Sequence, residues 1–145
     1  MKKTKLPVNK SVKPTTAAML DTPMLFAATT DSKRSRKFYE EALGLKFVAD
    51  EPYALVFRVG ELQLRIQKVE RKPKIGYTVL GWVVKDIQET VRELSKAGVE
   101  FMRYDGLGQD ANGVWQSPGG ARVAWFQDPD ENTLSLTEYP HVKTL

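Results

Sequence analysis

RVAWFQDPDENTLSLTEY (122–139) is the stretch whose reading decides the fold. Two apolar-rich runs, RVAWF and TLSL, flank the acidic turn DPDEN, the pattern of a β-hairpin with a proline in its loop. On the second run Leu134 and Leu136 alternate with Thr133, Ser135 and Thr137. Side chains alternate across a strand, so one face of this strand is built for a core and the other carries small hydroxyls. The function turns on what that hydroxyl row faces: water, a metal ion or an organic ligand.

Upstream, two segments repeat one another: TTDSKRSRKFYEEALGLKF (29–47) and VKDIQETVRELSKAGVEF (84–101). Each runs from an Asp through a helical pattern to a Gly, an aliphatic residue and a Phe. Asp31 and Asp86 lie 55 residues apart, Gly44 and Gly98 lie 54 apart, and so do Phe47 and Phe101. Asp86 followed by Glu89 is a capping-box-like start, because the Asp carboxylate can accept from free amides of the first turn. Gly44 and Gly98 stand where a helix would end in a left-handed residue. Apolar runs surround both helices: MLFAAT, LKFVAD, YALVFRV and ELQLRIQ around the first, YTVLGWVV, VEFMRY, RVAWF and TLSLTE around the second. Each half therefore reads β-α-β-β-β, joined by the charged linker KVERKPKIG (68–76). Two copies of about 55 residues indicate two packed modules rather than a solenoid.

Composition narrows the function classes. A chain of 145 residues with 41% hydrophobic and 28% charged residues fits one ordinary globular domain and can bury its own core. It has no cysteine, which removes disulfides, thiolate metal sites and cysteine nucleophiles, and is consistent with a reducing, cytoplasmic setting. Five lysines and no acid fall in the first 20 residues; removing those five from the formal +4 leaves the remainder at −1. The folded part thus lacks a nucleic-acid footprint. Residues 1–22 read as a basic, disordered arm, neither a signal peptide nor a membrane span, and residues 140–145 as a tail holding the single histidine, His141.

FYEEALGL (38–45), VKDIQETVRELSKAGVEF and AWFQDPDENTLSL (124–136), together with the strand order, resemble the vicinal oxygen chelate superfamily. This group includes glyoxalase I, bleomycin-resistance proteins and extradiol dioxygenases. The resemblance covers about residues 24–138 and implies an α+β fold. Two βαβββ modules, 23–67 and 77–139, would form a curved mixed sheet around a cavity, with the helices outside. Glu131 replaces the glycine usual at its place in the turn, where a positive φ is expected.

Metal-dependent relatives carry His, Gln or Glu at four strand positions, and here the resemblance places Met24, Arg65, Val79 and Ser135. None is a good donor for a hard or borderline cation, and Arg65 would repel one. Gln63 or Gln67 would be reached by a slip of register, but a single amide oxygen makes no site. No metal or other cofactor is expected. Strand alternation within this fold sends Leu25, Leu80, Trp82, Val84, Leu134 and Leu136 beneath the helices. It sends Met24, Phe26, Gln63, Arg65, Gln67, Val79, Thr133 and Ser135 toward the cavity. Trp115, in the glycine-rich loop 103–120, is read either as part of a lid over that cavity or as a plug at the core edge. Arg65 is read either as a contact for a carboxylate or carbonyl, or as the partner of a nearby acid. No nucleophile–base pair can be assembled, and the DPDE turn reads as a solvated loop. The expected function is metal-independent binding, and sequestration, of a small organic molecule by a homodimer, with no nucleic-acid or membrane partner. The alternatives are a lyase, isomerase or dioxygenase-like enzyme with a displaced or absent metal site, and a partner-binding module using the basic arm.

Overall fold

The computed structural model describes residues 19–140, so most of the basic arm and His141 lie outside the described residues. The first module runs β1 (Met24–Thr29), α1 (Ser32–Lys37), β2 (Lys46–Asp50), β3 (Ala54–Val59) and β4 (Leu62–Lys68). The second runs β5 (Thr78–Val83), α2 (Ile87–Lys96), β6 (Trp115–Gln116), β7 (Arg122–Gln127) and β8 (Thr133–Glu138). Each module forms a four-stranded mixed sheet of the same order, β1-β4-β3-β2 and β5-β8-β7-β6. In each, the first and last strands pair in parallel while the others are antiparallel. This is the two-module α+β architecture expected from the repeat.

Local chemistry sets the helix ends. Asp31 caps α1 by accepting from the Arg34 amide at 3.1 Å, and Asp86 caps α2 by accepting from the Glu89 amide at 3.0 Å. Gly44 and Gly98 follow their helices with φ of 70° and 96°. After Lys37 the first helix widens into a π turn, Phe38–Ala42, in which the Leu43 amide donates to the Phe38 carbonyl at 3.0 Å. Tyr39 in this turn is fully buried, and its ring lies 5.3 Å from Phe38 and 5.7 Å from Phe57.

One hydrophobic core serves both modules: Leu55, Leu64 and Ile66 from the first join Ile87, Phe126, Leu134 and Leu136 from the second. Leu80 is buried with them, and Leu25, Trp82 and Val84 pack against the cluster half-buried, as alternation predicts.

The second module departs from its expected pattern in two places. VEFMRY forms no strand; Phe101 makes only an isolated bridge to Phe126. The edge of the sheet is supplied instead by the two residues of β6. The turn 128–132 is likewise no solvated loop, since Asp128, Asp130 and Asn132 are buried.

Candidate functional site

The DPDEN turn is the joint between the modules. Asp130 accepts from the Thr29 hydroxyl at 2.6 Å, the Thr30 amide at 2.8 Å and the Thr30 hydroxyl at 3.0 Å. Asn132 donates to the Ala28 carbonyl at 2.8 Å and to Asp128 at 2.7 Å. Asp128 also accepts from the Tyr39 hydroxyl at 2.6 Å. Burial raises the Asp128 carboxyl above its ordinary value against these donors. Burial, reinforced by the Asp128 charge, pushes the Tyr39 hydroxyl well above its own. Glu131 takes the positive φ expected of it, 62°, which lets the turn close around Asp128. Asp128 and Asp130 are therefore structural.

The faces of the sheets turned away from the helices carry the candidate site residues. On the first sheet Met24, Phe26, Gln63, Arg65 and Gln67 share one face: Met24 is opposite Gln63 and Phe26 opposite Arg65. Met24 and Phe26 are 44% and 48% exposed, so this face is open. Arg65 is matched by an acid: its guanidinium donates to Glu51 at 2.8 Å and to Gln63 at 3.0 Å.

On the second sheet the register breaks between Thr78 and Leu80, and Val79 packs against the core cluster instead of lining the open face. An extra residue in a strand breaks the two-residue alternation on which the count to Val79 depended. Gly81 is the residue opposite Ser135. Of the four positions matched to metal ligands, a thioether, a guanidinium, an alkyl group and a hydroxyl are therefore offered. This donor set does not fit a divalent cation. Among the described residues no group of three His, Asp or Glu side chains could hold one.

Beyond Ser135 lies an open groove of about 660 Å3. Trp125, on β7, pairs with Ser135, and Trp115, on β6, pairs with Val123, so the two indoles are diagonal neighbours on one face. Their centroids lie 5.9 Å apart with planes inclined by 32°. Tyr104 stands against Trp125 at 5.5 Å and 88°. Tyr77, Gln127 and Thr133 complete the polar and aromatic rim, and among the described residues no charged side chain lines the groove.

Trp115 belongs to a short strand rather than to a lid, and the loop before it is internally tied. Gln109 donates to the Met102 and Gly113 carbonyls at 2.9 and 2.8 Å and accepts from the Tyr104 amide at 2.7 Å. Arg103 donates to the Asp110 and Ala111 carbonyls. Gln88 of α2 fastens the loop by a 2.8 Å bond to Asp110. Burial opposes it, but the bonds from Gln88 and from the Val114 and Asn112 amides hold the Asp110 carboxyl below its ordinary value.

Thr133 and Trp115 thus meet in one groove, whereas Arg65 does not join them. It stands on β4, and the two sheets abut through β1 and β5, with β8 and β7 lying between there and Trp115. Trp125, Tyr104, Tyr77 and Gln127 are groove residues that the sequence reading missed. Trp125 was readable: Ala124 and Phe126 flank it and go to the core, so alternation sends it to the face of Ser135.

Residues 22–136 match the family described as the Glyoxalase/Bleomycin resistance protein/Dioxygenase superfamily. The chain belongs to that superfamily. Among solved structures it is similar to a member of the same superfamily from Sphaerobacter thermophilus DSM 20745, with 26% identity and a TM-score of 0.62 over 82% of this chain and 98% of that one. It is also similar to a glyoxalase family protein from Enterococcus faecalis, with 21% identity and a TM-score of 0.61 over 81% and 94%. A third is lactoylglutathione lyase from Agrobacterium tumefaciens, with 18% identity and a TM-score of 0.57 over 80% and 92%. A search of curated proteins found no match. Among the described residues no helix is long and apolar enough to cross a membrane.

Proposed function

We propose that this chain is a metal-independent binding protein that sequesters a small organic molecule. The observation that carries this reading is the groove floored by Trp115 and Trp125. It is concave, largely apolar and edged by a few polar groups, the makeup of a small-molecule site. The reading also rests on the residues that stand where metal-dependent relatives hold their ligands, Met24, Arg65, Val79 and Ser135, which supply no coordinating set. Among the described residues no nucleophile paired with a base lines the groove, which favours binding over turnover. The test is elemental analysis of protein purified without an affinity tag, together with mass spectrometry of molecules extracted from it. We expect well under one transition-metal ion per chain and a recurring organic species. One firmly held Zn, Ni, Mn or Fe per chain, lost on substitution of open-face residues, would contradict the reading.

We propose further that the chain acts as a cytoplasmic homodimer. Among the described residues β2 and β6 have no partner on their outer edges, and association of two copies is a common way to cover such edges. Sedimentation should give twice 16.4 kDa at micromolar concentration; a single-chain mass would refute the dimer.

A further inference from the structure

We infer that the aromatic groove of the second module takes an uncharged, planar aromatic ring system, and that this groove, not the face around Arg65, is the recognition centre. The inference rests on the small-molecule reading above and deepens it. Trp115 and Trp125 both line the groove and pack on one another, with planes inclined by 32°, as one aromatic unit that makes its floor. Their 5.9 Å separation is too small to admit a ring between them, so a guest packs against the pair from the groove. Tyr104, at 88° to Trp125, forms a wall against which the edge of a flat guest can rest. Edge-to-face and offset-stacked contacts are those that aromatic quadrupoles favour, and the two together select a flat ring over a puckered one.

The charge pattern narrows the class. Among the described residues no lysine, arginine or acid lines the groove, so a carboxylate or phosphate would be desolvated without compensation from them. Arg65, the guanidinium on the open face of the other sheet, is paired with Glu51 at 2.8 Å. Among the described residues the side chains of Gln127 and Thr133 make no hydrogen bond, which leaves an amide and a hydroxyl at the rim for one polar substituent on the guest. The floor needs no ordering on binding, because Trp115 is held in a strand and Tyr104 by a loop whose backbone is tied through Gln109.

Isothermal titration of the full chain with 2-naphthol tests this, alongside decahydro-2-naphthol, 2-naphthoate and tetramethylammonium. We expect saturable 2-naphthol binding, with the saturated, anionic and cationic probes each weaker by about tenfold or more. Trp115→Leu should weaken 2-naphthol binding by a similar factor. Tyr104→Leu serves as a second variant should Trp115→Leu shift the urea midpoint, and Arg65→Met should leave affinity unchanged. Equal affinity for the saturated alcohol, preference for tetramethylammonium, or no saturable 2-naphthol binding would overturn the inference. Sensitivity to Arg65→Met with indifference to Trp115→Leu would overturn it too, while leaving small-molecule binding intact. If no probe binds and no organic molecule is extracted from the native protein, the broader reading falls with it.

Discussion

At Gly81 an added Cβ would stand 2.5 Å from the Ser135 hydroxyl and 3.2 Å from the Ser135 carbonyl. With the Ser135 hydroxyl in this place, the parallel strands β5 and β8 pair without a clash when position 81 carries only a hydrogen. Gly81→Ala should cost about 1–3 kcal/mol by overpacking, measured by urea denaturation. Because the hydroxyl is the closest atom, Ser135→Ala in the same chain should restore a large part of that loss; strictly additive effects would show that the contact is not the cause. Asp128 sets a pH dependence of definite sign. Its folded-state value is raised by burial, so the native state takes up this proton before the unfolded chain does. Charged Asp128 thus costs stability at neutral pH, and the cost is relieved as pH falls through the raised value toward 3.8. Asp128→Asn removes this titration, so the stability difference between the two proteins should move in favour of the original chain between neutral pH and about pH 4. A difference moving the other way would contradict the burial argument.

Elements that repeat a simple period were legible in the sequence. The caps at Asp31 and Asp86, the left-handed glycines, and the paired runs RVAWF and TLSL are written in residues a few positions apart. β6 was not, because two residues carry no period, and Trp115 becomes a strand only by pairing with Val123 of β7. VEFMRY has the composition of a strand, but the chain leaves the sheet after Phe101 and the loop's own hydrogen bonds replace a ladder. The bulge at Val79 was equally hidden, since an inserted residue changes faces without changing composition. The loop's order also depends on a side chain the sequence does not flag: Gln109 bonds three backbone groups. Gln109→Ala should speed amide exchange of residues 104–114 while the exchange of β7 and β8 stays slow. Unchanged loop exchange would show that Arg103 and Asp110 suffice.

At the scale of the molecule, the repeat announced two modules but not what joins them. The DPDEN turn reads as solvent-facing because it is acidic, yet Asp130 is buried, reaching the end of β1 to satisfy Thr29 and Thr30 at once. Such long-range pairing, between residues a hundred positions apart, leaves no trace in local pattern. Asp130→Ala removes the shared acceptor of three hydrogen bonds that join the modules and should cost on the order of 3 kcal/mol, with Asp130→Asn losing less. A loss near 0.5 kcal/mol, typical of an exposed site, would show that the turn is dispensable. The candidate groove likewise takes shape only with the whole sheet. Alternation brought Met24, Phe26 and Arg65 to one open face and Thr133 and Ser135 to another, but the groove needed Tyr104 and Trp115 from a segment without period. The most direct measurement is native mass spectrometry of the untagged full chain, compared with its denatured mass of 16.4 kDa per chain. We expect an organic adduct on the folded ion, absent after denaturation and depleted in Trp115→Leu; a folded ion bearing only protein mass, or protein plus one divalent metal, would refute small-molecule sequestration.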